Sequence, residues 1–331
     1  MLWNKKRDTI SINPSIFDSE IGQSITKRTI LAAAHKIFDP IGVTCPVSLK
    51  PKMILRNLWE EKIDWDVNLE GKTKDDFLQW SKEIKLIKNI EIPRAISIGN
   101  VTLHTFGDAS GVAYAAVVFA RVEWGDSVQV TLLNAKSRVT PKGATIPRLE
   151  LMAATIGVRL AQTVIQSLSR EILDSTYWSD SSTALAWIHR DIEWGVFVRN
   201  RVKEIRSLSE PKNWKFVPGE MNPADLPSRG CTPSQLVDSQ WWLGPLWLYQ
   251  PESEWPKGRQ EIDEKEIIGE RNKTIVTQMT NICNYNVLDP KEKQKVEVSR
   301  HIFTFPYKSV CAVDTSVLFF SSLILLSADR A

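Results

Sequence analysis

Cysteine is scarce in this chain and never paired at short range. Its 331 residues include four, Cys45, Cys231, Cys283 and Cys311, with no Cys-x-x-Cys. Histidine is as sparse: His35, His104, His189 and His301. These counts argue against a zinc site and a disulfide framework and fit a reducing, intracellular compartment. A dominant charge is missing too. Lys and Arg number 42 against 39 Asp and Glu, a formal net charge of +3, so any affinity for nucleic acid must come from local patches. There is no long hydrophobic run: Val317 to Leu326 falls short of the roughly 20 residues a membrane span needs, and Asp314 blocks its backward extension. The opening Met1-Leu-Trp-Asn-Lys-Lys-Arg is polar and basic, without a signal-peptide pattern. No membrane partner is expected.

What remains is a largely globular composition, 43% hydrophobic, long enough for two domains. The first hundred residues read as helical. Thr26 to Phe38 carries apolar residues at helical spacing and ends in the turn Asp39-Pro40-Ile41-Gly42. Pro46 to Trp59 and Phe77 to Ile87 repeat the pattern, and Ile92-Pro93-Arg94 breaks it. From Val101 the period changes. Val101 to Phe106 has apolar or β-branched residues on both faces, suited to a central strand that stops at Gly107 before Asp108. Tyr114 to Val122 and Val128 to Ala135 complete a meander. A helix entered through Pro147 follows, with Glu150, Ala154, Gly157 and Ala161 forming a face of mostly small residues that can approach a sheet closely. Ser175 to Asp180 is a second strand ending in Asp. Two helices, Ser181 to His189 and Gly195 to Leu208, precede a last strand, Trp214 to Val217. Asn222-Pro223-Ala224-Asp225 then has the chemistry of a helix start, with Asn at the cap. Trp241 to Leu248 can pack back on the domain, whereas Gln250 to Lys273 is charge-rich and reads as a linker.

Four acids thus stand at the ends of separate elements: Asp108, Glu150, Asp180 and Asp225. Each alone has an ordinary alternative, respectively a turn residue, an exposed helix acid, a helix cap and a dipole partner. A carboxylate ending a buried strand is costly unless a metal or catalytic partner neutralises it. Lys136, Arg138, Lys142 and Arg148 lie on the approach to Glu150, and Arg199, Lys203 and Arg206 share a helix face. They are candidate phosphate contacts or simply a solvated surface. Trp187 and Trp194 fit a core better than a base-stacking platform.

The order of strands, helices and acids is that of the ribonuclease H fold. Phe106-Gly-Asp-Ala-Ser110, Ile146-Pro-Arg-Leu-Glu-Leu151, Trp178-Ser-Asp-Ser181 and Val217-Pro-Gly-Glu-Met-Asn-Pro-Ala-Asp-Leu-Pro-Ser-Arg-Gly230 resemble the RNase H segment of Pao/BEL-type retrotransposon polyproteins. The segment before it, with Lys27-Arg-Thr, Phe38-Asp-Pro-Ile-Gly42 and Leu58-Trp59 through Asp64-Trp65-Asp66, resembles the part that follows the reverse transcriptase palm. The resemblance runs from about Thr26 to Leu248. It implies an α/β protein with a ribonuclease H-like five-stranded mixed sheet flanked by helices, preceded by a mainly helical segment. The expected division is 1–98 for that thumb- or connection-like segment, 99–231 for the RNase H-like domain, and 232–331 for a partly ordered linker and divergent tail. The implied activity is hydrolysis of the RNA strand of an RNA–DNA hybrid during reverse transcription, with two Mg2+ or Mn2+ ions held by Asp108, Glu150, Asp180 and Asp225. The implied partners are the hybrid and the rest of a Pol polyprotein, in a cytoplasmic virus-like particle or the nucleus. No Tyr-x-Asp-Asp polymerase signature or integrase zinc module is present, and residues beyond about Glu270 do not match the pattern. The competing expectation is a non-catalytic nucleic-acid-binding or connection-type fragment of a degenerate element.

Overall fold

The computed structural model describes residues 1–13, 24–168, 172, 174–258 and 263–271. The run Val317 to Leu326 and the divergent tail lie outside the described residues.

The chain opens on a small antiparallel sheet, β1 (Leu2–Asn4) and β2 (Thr9–Ser11), joined later by β3 (Glu91–Pro93). Sequence periodicity pointed only to helices here. Strands of three residues are too short for an alternating pattern to register, and Pro93 is tolerated because β3 is an edge strand. Between them lie α1 (Lys27–Lys36), α2 (Cys45–Glu60) and α3 (Gly71–Glu83). Thr26 and Thr29 form a reciprocal capping box for α1. The third helix begins at Gly71, earlier than the expected Phe77, and continues into a 3-10 turn over Ile84–Asn89.

The main sheet comprises β4 (Asn100–Ala109), β5 (Ala113–Trp124), β6 (Ser127–Val139), β7 (Asp174–Ser179) and β8 (Trp214–Phe216), ordered β6-β5-β4-β7-β8. β4, β5 and β6 pair antiparallel, whereas β7 and β8 join parallel to β4. With its flanking helices and the helical segment before it, this is the expected ribonuclease H-like fold. α4 (Ile146–Ser167), α5 (Ser182–His189) and α6 (Val196–Leu208) pack on one face. The small residues decide how closely: a Cβ at Gly107 would lie 3.3 Å from the Ala153 carbonyl carbon, and one at Gly157 would lie 3.1 Å from Thr105.

Side-chain alternation sends Tyr177 to the helical face and Trp178 to the other. There α7 (Asp225–Arg229) and a tryptophan-rich segment cover the sheet together with α2, while α8 (Pro233–Ser239) packs on α2, α3 and the 3-10 turn that follows α3. Trp241, Trp242, Leu248 and Trp255 are buried. Trp255 meets the His104 ring edge-on at 5.0 Å, so the stretch from Gln250 expected as a linker is anchored in the core at this residue, although most of its described residues are exposed. Beyond it α9 (Glu264–Gly269) docks on α5, with Ile267 fully buried. Charge density misled here because three of its glutamates meet basic or hydroxyl groups on the helical face. Among the described residues no helix is long and apolar enough to cross a membrane.

Candidate active site

β4 and β7 run parallel, with Gly107 opposite Ser179. The residues that follow, Asp108 and Asp180, therefore emerge side by side at the carboxyl end of the sheet. β4 runs one residue past Asp108, so this acid lies within the strand rather than beyond a break at Gly107. α4 brings the third acid: its close approach along Ala153, Ala154 and Gly157 holds Glu150 against the sheet end. Ligand atoms of Asp108, Glu150 and Asp180 lie within 4.8 Å of one another. Asp108 and Glu150 are buried and Asp180 is partly buried.

Two side chains from the segment after β8 fix this arrangement. Ser228, fully buried, donates its hydroxyl to Asp108 Oδ2. Asn222 donates through Nδ2 to the Gly107 carbonyl at 3.0 Å and to Asp180 Oδ1 at 3.3 Å. Asn222 was expected to cap the next helix. Instead its Oδ1 accepts from the Ala224 amide at 3.1 Å and α7 starts only at Asp225, leaving its amide nitrogen to bridge the two aspartate strands. Neither residue stood out in sequence as part of the site, although both lie in the stretch that carries the family resemblance.

Burial and mutual repulsion hold the three carboxyls above their ordinary range. Burial dominates for Asp180, pushed up to about 7, with the Asp108 charge next. Asp108 is raised by burial, which outweighs the Ser228 hydrogen bond. Glu150 lies well above its usual value through burial, then Asp180 and Asp108. Its Oε2 is buried without a hydrogen-bond partner among the described residues. A largely buried, all-oxygen, anionic donor set with one carboxylate oxygen left without a donor fits a hard divalent cation such as magnesium or manganese.

The other expected site residues are placed differently. Asp225 opens α7 outside the three-acid cluster, and its Oδ1 accepts from Arg229 Nε. Its charge nonetheless acts on Asp108. Lys136, Arg138, Lys142, Arg199 and Lys203 are exposed. Arg148 is engaged with Glu270 through two hydrogen bonds of 3.1 and 2.7 Å. Arg206 donates to the Ile188 and Arg190 carbonyls, at 2.9 and 2.8 Å, at the end of α5. Trp187 and Trp194 are core residues.

Fold and acid cluster together define a ribonuclease H-like domain. Residues 26–181 match the family model described as the Pao retrotransposon-like RNaseH-like domain, a stretch that contains Asp108, Glu150 and Asp180 and ends before Asp225. This match supports a Pao-type retrotransposon RNase H. Among solved structures, part of the chain is similar to RNase H1 from the halophilic archaeon Halobacterium salinarum NRC-1, at 18% identity and TM-score 0.28, covering 43% of this chain and 99% of that one. It is similar also to the N-terminal RNase H domain of a Mycobacterium tuberculosis protein solved as a fusion with maltose binding protein, at 14% identity and TM-score 0.28, covering 43% and 96%. A third is LC11-RNase H1 in complex with an RNA/DNA hybrid, at 16% identity and TM-score 0.27, covering 38% and 91%. No curated protein matches the chain.

Proposed function

We propose that this chain is a retrotransposon RNase H that hydrolyses the RNA strand of an RNA–DNA hybrid during reverse transcription. The carrying observation is the convergence of Asp108, Glu150 and Asp180 within 4.8 Å, with the buried Glu150 Oε2 lacking a partner among the described residues. Two divalent ions, magnesium or manganese, would supply an activated water and neutralise the leaving oxygen. Asp108, Glu150 and Asp180 would hold them, and Asp225 would join by exchanging its bond to Arg229 for a place beside Asp108. Ser228 and Asn222 keep the two strand aspartates in place while this happens. The exposed Lys136, Arg138, Lys142, Arg199 and Lys203 are candidate backbone contacts. A hybrid offers shape, 2′-hydroxyls and phosphates rather than readable base edges, so the grip is on phosphates. The resemblance further suggests a Pol polyprotein as parent, with the chain in a virus-like particle or the nucleus and with no polymerase or integrase activity of its own. Incubating the purified chain with a labelled RNA–DNA hybrid, with and without magnesium, tests the reading. Magnesium-dependent loss of the RNA strand alone is expected; an intact hybrid under both conditions refutes it.

A further inference from the structure

α9 carries carboxylates to several polar groups of the helical face. Glu270 grips Arg148 with both oxygens, at 3.1 and 2.7 Å, and its own side chain is 6% exposed. Glu266 accepts from the Thr183 hydroxyl at 2.5 Å. Glu264 takes two hydrogen bonds from Arg190, at 2.8 and 2.5 Å. Between them Ile267 is fully buried, and its carbonyl accepts from Trp187 Nε1 at 3.2 Å. Arg148 stands two residues before Glu150, and Thr183 three after Asp180. The glutamates thus neutralise a cationic and hydroxyl-bearing patch on the helical face, carried by α4 and α5, the helices that hold Glu150 and follow Asp180.

A guanidinium gripped by two oxygens is the geometry that also binds a phosphodiester. From these contacts we infer that Arg148, Thr183 and Arg190 form a backbone-phosphate track for the nucleic acid, and that α9 occupies it as an internal anionic strap that must leave before the strand can lie there. The inference rests on the nucleic-acid reading above and adds to it a built-in competitor. A strap of this kind lowers affinity for every polyanion, the hybrid included, so that only a strand with further contacts displaces it. The competition is local, because one carboxylate and one phosphate cannot share the same guanidinium face.

Binding of a short labelled RNA–DNA hybrid, measured without divalent ions across a salt series, tests this on the full chain. Glu270→Gln keeps the shape and removes the charge. It is expected to tighten binding several-fold and to steepen the log–log salt dependence by about one, the signature of one more phosphate neutralised. Adding Arg148→Gln should abolish the gain. Equal or weaker binding by Glu270→Gln, with an unchanged slope, overturns the strap and leaves the hybrid reading standing. A second measurement needs no variant: amide hydrogen exchange of residues 264–269 in the unaltered chain should accelerate when hybrid is added, and unchanged or greater protection overturns the proposal. If neither the unaltered chain nor Glu270→Gln binds the hybrid, the nucleic-acid reading itself fails and the strap falls with it.

Discussion

The acid end of the sheet and the tryptophan layer behind it both bury polar atoms, but they satisfy them differently. In the layer, Trp178 donates to His104 Nδ1, Trp241 to the Val43 carbonyl, Trp247 to that of Met221 and Trp255 to that of Gln250. His104, enclosed there, is held down to about pKa 3 by burial and by Arg121 and Lys215, so it stays neutral and keeps an acceptor available to Trp178. At the acid end, Glu150 Oε2 is buried with no donor among the described residues. A layer that closes its own hydrogen bonds is built for stability. A site that leaves them open awaits something the chain does not supply.

Substitutions can separate the two. The largest effect is expected from Asp180→Asn, which preserves shape and removes ligand charge: hybrid cleavage should fall by orders of magnitude while the metal-free melting temperature stays level or rises. Undiminished magnesium-dependent cleavage would remove Asp180 from the site. Trp178→Ala should act in the opposite sense, costing roughly 3–5 kcal/mol of stability in a denaturant melt. Next is Ser228→Ala, which leaves Asp108 Oδ2 without its donor. A loss of about 1–3 kcal/mol is expected, with a raised magnesium requirement for cleavage; unchanged behaviour in both would show the bond to be incidental.

The pH dependence of the metal-free chain gives a subtler contrast. Asp180 rises from 3.8 to about 7 on folding, and Asp108 and Glu150 also move upward. The folded chain therefore binds more protons than the unfolded one across that window. The sign is that stability is greatest below about pH 4 as far as these groups act, and is lost as pH rises through about 7. Melting temperature should fall between pH 5 and 8, magnesium should restore it at pH 8, and Asp180→Asn should flatten the slope. The smallest effect is expected at Trp194, whose Nε1 is buried without a partner among the described residues. Trp194→Phe should change stability by less than about 1 kcal/mol, because the lost hydrogen bond does not exist.

The three clustered acids were legible because topology dictates their meeting. Two parallel neighbouring strands, one carrying Asp108 as its penultimate residue and the other followed at once by Asp180, put both at one end, and small residues on α4 bring Glu150 to them. Asp225 was less so: its helix spans only Asp225–Arg229, and Arg229 four residues on competes for its carboxylate. The cations were the least predictable. The partner of Arg148 is 122 residues away in sequence, and Arg206 turns to carbonyls at the end of α5. Surface pairings of that kind obey no period. The three-residue strands at the start and the burial of Trp255 escaped for a related reason, since each depends on a remote partner and on no local pattern.

One contact of the N-terminal segment has a wider bearing. β6 borders the main sheet over Ser127–Val139, and the Ala135 amide donates to the Ile41 carbonyl at 2.8 Å. The turn gets that close only because Gly42, at φ +78°, has no side chain; a Cβ there would lie 1.9 Å from the Ala135 carbonyl oxygen. A chain beginning at Ile98 would retain every strand of the main sheet but bare this border, whose unpaired amides and carbonyls invite the same border of another copy. At Ala135 the helical segment thus works as an edge guard, occupying a place on the border where a strand of another copy would pair.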